Sequence, residues 1–513
     1  MSQFNLVNEK WIPVRFLDGN RDELGIRDTL LRSSDIAAIE DQSPLVVAAL
    51  HRFLLALLYR ALEGPTDIEQ AKKIFRDGLP EDRIMYYLEK WGHRFWLFDD
   101  KYPFCQVPAY EPQEKNGVKE WKPWPAISAE HNANNAKVLF DHVGMTAAGS
   151  IPTKIASRWL LACQTFALGG GNSDFTYTKS APSATAMMVL PLGRNLQDTL
   201  LLSLVPQNRE VLAEDHPIWE QDPILLDALK KGVARPATGF ADLYTWLTRA
   251  IKFNLTDSAE KICELALASG VECSSDTLID PMLGYRIDEE KGRLPYQFRD
   301  RGIWRDFDSL LPDDSKLAPK VIEHAAALTR SSRERFPKSV LVLGQANKKA
   351  KIEYWRMERF CLPEALIGDH FIRAEIRQLL TIAEETEKSL WAACRSFARD
   401  ILSRGGREPA TKDTNSFIYQ MPVNANYWSY LETCFHKILR DYSLAAEYGN
   451  IRLRWLKFVK DALQAAWKQH SEAVSAGDAW AIRALIKAEK PVLDKLIRLN
   501  EEIKNLASEK EEP

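Results

Sequence analysis

The sequence predicts an α+β protein, with a large mixed α/β N-terminal domain over residues 1–364 and a C-terminal four-helix bundle over residues 365–513. Three observations indicate this division. The 513 residues are too many for one compact core. Short apolar runs broken by proline and glycine fill the first part of the chain. Long amphipathic segments follow Pro363, which is typical of a helix bundle.

The N-terminal domain is predicted to begin with a strand, a turn and a second strand, because its first residues alternate between apolar and polar. A helix follows, with Ser43 as its N-cap and Pro44 at its first position. A pair of helices then ends at Gly92. Residues 99–128 are rich in proline and residues 129–150 lack periodicity, so both stretches are predicted to be long loops.

Three consecutive glycines follow the next helix, which is predicted over residues 151–168. They lie in the stretch LACQTFALGGGNSDFTYTKS, and glycine loses more backbone entropy on folding than any other residue. One glycine after a helix is an ordinary cap, whereas three indicate a tight turn or the close approach of a ligand. On its own the run favours a cap followed by a loop, and a ligand-contacting backbone is the alternative. Residues 210–345 are predicted to mix short helices and strands.

Four long amphipathic segments predict the C-terminal bundle, with apolar residues at spacings of three and four. They span residues 365–403, 425–442, 451–470 and 479–506. Pro491 is predicted to kink the last segment. The polar stretch SRGGREPATKDTNS after the first segment is predicted to be a linker, and the charged C-terminus is predicted to fray.

The composition excludes some classes of protein. The formal net charge is −3, so any binding of nucleic acid has to come from local patches. Seven cysteines form no C-x-x-C pair, which argues against a disulfide framework or a zinc site and fits the reducing cytoplasm. The N-terminus lacks the pattern of a signal peptide. The longest apolar run, residues 44–62, is broken by His51, Arg52 and Arg60 and predicts a buried helix rather than a membrane span.

The common enzyme signatures are absent from the sequence. It contains no Walker A, zinc-protease, nucleophile-elbow or dinucleotide-binding pattern, and none of the nine histidines lies three to five residues from another. We therefore expect no catalytic residue, no metal and no cofactor. A metal-dependent nuclease assembled from distant carboxylates is the enzymatic alternative.

Basic residues concentrate in residues 330–359, which carry nine lysines or arginines against three glutamates, a local charge of +6. Within them GQANKKAK follows an apolar run that predicts a strand, so Lys348 and Lys349 are expected near the tip of a turn, with Tyr354 and Trp355 nearby. Such a loop suits the phosphate backbone of a nucleic acid. A solvated basic hairpin on a structural scaffold is the alternative.

Three patterns occur in an order that resembles a known family: FNLVNEKWIPV at the N-terminus, KVLFDHVGM in the second long loop and TFALGGGN after the helix. With GQANKKAK and the terminal helices, they resemble the CasA family, the large subunit of the type I-E CRISPR complex Cascade. The resemblance implies a non-catalytic subunit that docks at the 5′ handle of the guide RNA, beside other Cascade subunits. It also implies that the subunit reads the protospacer-adjacent motif (PAM) of double-stranded DNA from the minor groove, helps to open the duplex and recruits a helicase-nuclease.

The resemblance further implies roles for particular residues. It assigns contacts with the PAM to Gly169, Gly170, Gly171 and Asn172. It assigns docking on the guide-RNA handle and the neighbouring subunit to Phe140, Asp141 and His142. Because the minor groove is only about 6 Å wide, a glycine backbone reaches base edges where a Cβ would collide. An aromatic ring stacks on an unpaired base, and Asp or His bonds a base edge or a ribose hydroxyl.

The resemblance places a wedge that opens the duplex at the tip of the basic loop. Many family members are expected to carry an amide side chain there, whereas this chain places Lys349 at the tip beside Lys348. A shifted alignment places the wedge at Asn347 or Gln345 instead. A further PAM-contacting lysine is expected on a β-hairpin, and it is assigned to Lys291. Two arginines lie close to it in the sequence, Arg286 and Arg293.

Overall fold

The computed structural model describes residues 3–131, 148–255, 259–274, 278–311, 316–337, 339–348, 351–363, 370–443, 448–474 and 478–508. The chain divides into two compact units. Unit 1 comprises Met1–Arg301 and Pro312–Arg359, and unit 2 comprises Gly302–Leu311 and Phe360–Pro513. Unit 1 mixes helices and strands and the C-terminal region is helical, so the predicted α+β class is confirmed.

The strands are short and form several small sheets. In chain order they are β1 (Gln3–Asn5), β2 (Ile12–Phe16), β3 (Arg21–Leu24), β4 (Ile36–Ile39), β5 (Trp96–Phe98), β6 (Glu114–Lys115), β7 (Val118–Lys119), β8 (Lys122–Pro123), β9 (Ile151–Pro152), β10 (Met188–Leu192), β11 (Val233–Arg235), β12 (Arg249–Phe253), β13 (Lys261–Ile262), β14 (Glu264–Ser269), β15 (Val271–Cys273), β16 (Tyr285–Asp288), β17 (Gly292–Pro295), β18 (Lys316–Leu317), β19 (Ser339–Lys348) and β20 (Lys351–Cys361). Three-stranded sheets have the orders β3-β2-β4, β12-β14-β8, β17-β16-β18 and β10-β19-β20.

The helices of unit 1 include one long buried helix. They are α1 (Ile26–Leu31), α2 (Pro44–Leu62), α3 (Ile68–Asp77), α4 (Glu81–Trp91), α5 (Thr153–Phe166), α6 (Leu196–Ser203), α7 (Arg209–Glu214), α8 (Leu226–Lys231), α9 (Phe240–Tyr244) and α10 (Lys320–Thr329). The predicted helix pair that ends at Gly92 is confirmed as α3 and α4. Residues 99–128, predicted as a loop, contain three two-residue strands and a 3₁₀ turn, because backbone pairing with β14 orders part of this proline-rich stretch.

Helix α2 runs through the core of unit 1. Ser43 caps it by accepting a hydrogen bond from the N–H of Val46, and Pro44 is its first residue, as predicted. The charge of Arg52 within this apolar helix is compensated by Asp280, whose carboxylate lies 2.5 Å from the guanidinium. Among the described residues, α2 is the one helix long and apolar enough to cross a membrane, and nearly all of it is buried inside the protein.

Unit 2 contains helices in all four predicted segments, with two corrections. The helices are α11 (His370–Ser403), α12 (Thr411–Gln420), α13 (Val423–Ser443), α14 (Tyr448–Ala473), α15 (Ala479–Ala488) and α16 (Lys490–Ser508). The stretch predicted as a polar linker contains the start of α12, whose buried Thr414 and Ile418 recur at a helical spacing of four. Pro491 does not kink one helix but lies in the first turn of a second, where its missing N–H costs nothing.

Buried aromatic groups hold the helices of unit 2 together. The indole of Trp455 in α14 donates to the carbonyl of Leu379 in α11 at 2.7 Å, and the hydroxyl of Tyr427 in α13 donates to that of Ala383 at 2.9 Å. The 3₁₀ segment Ile303–Leu310 also belongs to this core, because the ring of Trp304 lies 5.2 Å from that of Phe435. Unit 2 thus includes Gly302–Leu311, which precede the boundary predicted at 364/365, and that boundary stays a prediction.

Candidate nucleic-acid interface

The three glycines form one arm of a short hairpin, residues 167–181, which we call the glycine hairpin. Thr178 on the opposite arm accepts a hydrogen bond from the N–H of Gly170 and donates one to the carbonyl of Gly171, both at 3.1 Å. Thr178 therefore faces two residues, which is the pattern of a β-bulge. Asn172 forms a bridge with the opposite arm just beyond it. The predicted loop after α5 is thus an ordered, paired structure.

The three glycines differ in the steric reason for which a side chain is disfavoured. A Cβ on Gly169 would lie 2.7 Å from the nitrogen of Ser180, closer than real contacts allow, so this glycine is required by packing within the chain. Gly170 and Gly171 have φ angles of +134° and +86°, which residues with a side chain rarely adopt. A Cβ on Gly171 would meet nothing within 4 Å. Gly171 therefore combines a turn conformation with open space in front of its backbone.

The hydrogen bonds of the hairpin leave one end of it available. Gly169 donates to the hydroxyl of Ser180 at 2.8 Å, and Gly170 donates to Thr178, so the chain itself uses both N–H groups. Within the part of the chain that the structure describes, no hydrogen bond involves the N–H of Gly171 or the side chain of Asn172, and both residues are exposed. Of the glycine hairpin, the Gly171–Asn172 end therefore keeps a backbone N–H group and a side-chain amide that no described hydrogen bond uses.

Arg249 in β12 fixes both arms of the glycine hairpin. Its guanidinium donates to the carbonyl of Lys179 at 2.7 Å and to that of Leu168 at 2.6 Å. Burial lowers the pKa of Arg249 from its ordinary value. The hydroxyl of Ser269 in β14 lies 2.8 Å from that of Thr176 at the turn. Sequence reasoning missed Arg249 and Ser269, because they lie far from the glycines in the chain and carry no motif.

The basic loop is the end of a long hairpin made by β19 and β20, which we call the basic hairpin. The predicted strand is present as β19, whereas the predicted turn lies outside the described residues. Lys348 is the last residue of β19, its side chain is not among those described, and Lys349 lies outside the described residues. Asn347 is half-buried in β19. The side chain of Gln345, the alternative wedge, is completely buried.

The arginines of residues 330–359 do not form one continuous free patch. Arg335 pairs with Asp198 at 2.6 Å and stacks over a phenylalanine ring. The side chain of Arg359 donates to the hydroxyl of Ser339 at 2.9 Å within the basic hairpin, and Arg356 lies 3.4 Å from a glutamate. The local charge of +6 is therefore partly used in internal contacts. Lys348, Lys349 and Lys351 lie close together in the sequence, where β19 ends and β20 begins.

Lys291 lies in the tight turn of the β16–β17 hairpin, so the expected β-hairpin is present. Asp288 accepts hydrogen bonds from the N–H groups of Glu290 and Lys291 at 3.1 and 2.9 Å, and Gly292 adopts a φ of +71°. This geometry places Lys291 on the exposed tip. Arg286 on β16 is exposed and Arg293 on β17 is half-buried.

The bases of the three hairpins meet at one short segment, residues 184–188. Gln345 of the basic hairpin donates to the carbonyl of Ala184 at 2.7 Å. The N–H of Met187 donates to the carbonyl of Tyr296, just after β17, at 2.9 Å. The glycine hairpin ends three residues before Ala184. The structure thus brings together, at their bases, three motifs that are far apart in the sequence.

The remaining predicted residues, Phe140, Asp141 and His142, lie outside the described residues. The described residues on either side of that segment both contact Trp124: the Trp124 indole donates to the carbonyl of Ala148 at 3.0 Å, and the ring of His131 lies 4.9 Å from that of Trp124. Over the described ranges, no three His, Cys, Asp or Glu side chains lie close enough together to hold a metal ion.

Comparisons with known proteins agree with this fold. The family described as CRISPR-associated protein Cse1 matches residues 5–466. The CRISPR-associated protein CasA/Cse1 of Thermus thermophilus is 33% identical over 517 residues, which cover 98% of this chain and 99% of that protein. A crystal structure of CasA from Thermus thermophilus matches with a TM-score of 0.84 at 31% identity, over 97% of this chain and 100% of that chain. A chain of a structure named CRISPR RNA-guided surveillance complex has the same fold, with a TM-score of 0.72 at 17% identity over 96% and 100% of the two chains. This chain therefore belongs to the Cse1 (CasA) family of CRISPR-associated proteins.

Proposed function

We propose that this chain is the non-catalytic large subunit of a cytoplasmic, RNA-guided CRISPR surveillance complex, in which it reads the PAM of double-stranded target DNA and helps to open the duplex. The main support for the proposal is the exposure of backbone at the end of the glycine hairpin. Gly171 presents exposed backbone with nothing within 4 Å of its Cβ position, and Asn172 lies next to it. A surface without a side chain fits a minor groove that is about 6 Å wide.

The internal hydrogen bonds of the hairpin make this proposal more specific. The N–H groups of Gly169 and Gly170 donate to Ser180 and Thr178. These two glycines therefore shape the hairpin and do not donate to bases. We assign the reading of base edges to the N–H of Gly171 and the amide of Asn172. The minor groove offers mainly acceptors, which distinguish A·T from G·C and little else. A subunit that reads it in this way tolerates several related motifs.

The other two hairpins supply contacts with phosphates and the means of opening the duplex. Lys348 and Lys349 at the end of the basic hairpin pair with phosphates beside the PAM and support strand separation. Lys291, at the exposed tip of its turn, adds a further contact with the DNA. The shared base at residues 184–188 supports a joint role, because it ties all three hairpins to the same backbone segment.

The segment that contains Phe140, Asp141 and His142 is proposed to dock on the 5′ handle of the guide RNA and on a neighbouring subunit. The fixed positions of His131 and Ala148 support a defined starting point for such a loop. We further propose that the assembled subunit recruits a helicase-nuclease, which supplies the cleavage that this chain does not perform.

The proposal is tested by assembling the complex on its guide RNA with and without this chain. Each form is incubated with duplexes that carry the target and a randomised flanking motif, and the bound duplexes are sequenced. We expect a short set of related motifs to be enriched only when this chain is present. Equal enrichment without the chain would refute the proposal, and cleavage of DNA by the purified chain with Mg²⁺ would support the nuclease alternative.

A further inference from the structure

A cavity of about 290 Å³ lies beside the glycine hairpin, within unit 1. Its apolar wall includes Trp159 and Phe166 from α5 together with Ile127, and Asn172 of the hairpin lines it as well. Small-molecule sites combine such a wall with a few polar groups, and this volume lies near the lower end of their range of roughly 300–1,000 Å³. The cavity therefore suits one small ligand with an apolar, planar part.

Arg249 lines the cavity and carries a buried charge that no described carboxylate neutralises. The residue is 5% exposed. It donates to the carbonyls of Lys179, Leu168 and Thr248, which use three of the five guanidinium N–H groups and carry no formal charge. No ion pair of Arg249 is present in the described part of the chain, and burial lowers its pKa. Because an uncompensated buried charge is costly, an anion in the cavity would be favourable.

A second cation, Lys122 in β8, lines the same cavity. Its ammonium donates to the carbonyl of Leu267 in β14 at 2.8 Å, and burial lowers its pKa. Arg249 pairs with Ser269, two residues further along β14. Two residues of a strand span about 7 Å, so the cations approach the cavity from neighbouring positions of one sheet. Asp174 and Glu120 act on Lys122 only through longer-range electrostatic attraction.

We propose that this cavity binds a single nucleotide, with the base against Trp159 and Phe166 and the phosphate facing Lys122 and Arg249. Two cations favour a phosphate, which carries up to two charges, over a carboxylate. The aromatic wall accepts the face of any base. The nucleotide comes either from solution or from one unit of a nucleic-acid strand, and both sources present the same chemistry.

Isothermal titration calorimetry of the full-length chain tests the proposal with adenosine 5′-monophosphate, adenosine and inorganic phosphate as separate probes. We expect the monophosphate to bind at least about tenfold more tightly than either fragment, because it uses the wall and the cations together. A folded wild-type chain that binds none of the three probes at millimolar concentration would overturn the proposal. No duplex is involved, so the result is independent of the proposed reading of the PAM.

Lys122→Gln is the informative variant, because glutamine still donates a hydrogen bond but carries no charge. It should weaken binding of the monophosphate about tenfold, the loss typical of a charge-assisted hydrogen bond, and leave binding of adenosine unchanged. Lys119→Gln removes the same charge at an exposed site three residues away and should change neither. Ala162→Phe, which fills the cavity, should abolish binding of all probes. Monophosphate binding that survives both Lys122→Gln and Ala162→Phe would contradict the assignment.

The source of the nucleotide is distinguished by competition. A single-stranded octamer of deoxyadenosine that displaces labelled monophosphate from the wild-type chain, and does so less well from Lys122→Gln, assigns the cavity to a strand. Retention of the monophosphate in the presence of the octamer assigns the cavity to free nucleotides. Both results support a nucleotide site.

Discussion

The side-chain nitrogen of Gln345 lies 2.7 Å from the carbonyl oxygen of Phe166, the last residue of α5. The same nitrogen also lies 2.7 Å from the carbonyl of Ala184. One amide thus joins β19 of the basic hairpin to both sides of the glycine hairpin. The glycine hairpin is held in a defined position relative to β19 by a side chain that has no contact with solvent.

Replacing Gln345 should destabilise unit 1. Gln345→Ala leaves two buried carbonyls without a donor and creates a cavity, so the free energy of unfolding should fall by roughly 2–5 kcal/mol. Gln345→Met keeps the volume of the side chain and removes only its hydrogen bonds. The free energy of unfolding should fall by at least half as much in this variant as in Gln345→Ala. Urea unfolding of the full-length variants measures both values. Gln297→Ala, which removes an exposed amide, should cost less than about 0.5 kcal/mol.

The burial of Gln345 could not be predicted from the sequence. Polar residues in GQANKKAK are equivalent in a linear pattern, and nothing local distinguishes the buried Gln345 from the residues at the tip. The pairing of β10 with β19, which is long-range, decides which of them enters the core. By contrast, α2 begins at a local cap, Ser43, and α5 follows Pro152 and ends before the glycine run, so the sequence predicts both helices.

The same distinction applies to the candidate interface. The position of the glycine run after a helix is local and was predicted, whereas its second arm and its anchor Arg249 come from distant parts of the chain. The position of the segment that contains Trp304 likewise depends on contacts with residues far along the chain. Its apolar residues carry no sign of which core they enter.

The segment 302–311 should stabilise the helical unit. A fragment of residues 360–513 lacks Trp304 and Phe307, which pack against Phe435, so we expect it to fold but to melt below unit 2 of the whole chain. A synthetic peptide of residues 302–311 should raise the melting temperature of the fragment in a concentration-dependent way. The same peptide with Trp304→Ala should not. If both peptides raise the melting temperature equally, the packing of Trp304 does not contribute to the stability of unit 2.

Two buried histidines should make the protein less stable in mild acid. Burial lowers the pKa of His51 and of His324 from 6.5 to about 4. Between these values the unfolded chain binds more protons than the folded one, so stability falls as the pH falls from 6.5 towards 4. Urea unfolding at pH 4.5, 5.5 and 6.5 measures this slope. His324→Gln should flatten it by up to about 1.4 kcal/mol per pH unit.

Glu130 offers a variant of opposite sign for the same measurement. Burial raises the pKa of Glu130 from 4.5 to about 7. Between these pH values the folded chain binds more protons than the unfolded chain, so the contribution of Glu130 to the free energy of unfolding falls as the pH rises. Glu130→Gln removes that opposing contribution and should steepen the slope that the histidines produce. An unchanged slope for Glu130→Gln would show that its side chain titrates like an exposed carboxylate.

The lysines at the end of the basic hairpin should contribute to affinity without contributing to sequence choice. Replacing Lys348 and Lys349 with alanine removes up to two phosphate contacts, so the slope of log affinity against log salt should fall by about two. Duplexes of every flanking sequence should be bound more weakly, and strand opening should slow. The double variant of Lys230 and Lys231, two exposed lysines in the last turn of α8, is the matched control. An altered motif preference with an unchanged salt slope would assign base reading to these lysines.

The central claim, that the backbone at Gly171 enters the minor groove, is tested by Gly171→Ala. Gly19 provides a matched control, because its φ of +90° resembles the +86° of Gly171 and its Cβ position is equally open. Alanine at either site should cost about 1 kcal/mol of folding stability through the strained φ. The two variants therefore share their effect on the fold and differ only in the surface that receives the methyl group.

The deciding measurement is the affinity of the assembled complex for a PAM-bearing duplex and for the same target with its strands already separated. Gly171→Ala should weaken binding of the duplex by about 1–3 kcal/mol, the usual scale for a lost base contact, and should leave the pre-opened target unaffected. Gly19→Ala should leave both affinities at the wild-type level. If Gly171→Ala weakens both substrates equally, or weakens the duplex no more than Gly19→Ala does, the glycine hairpin does not read the minor groove.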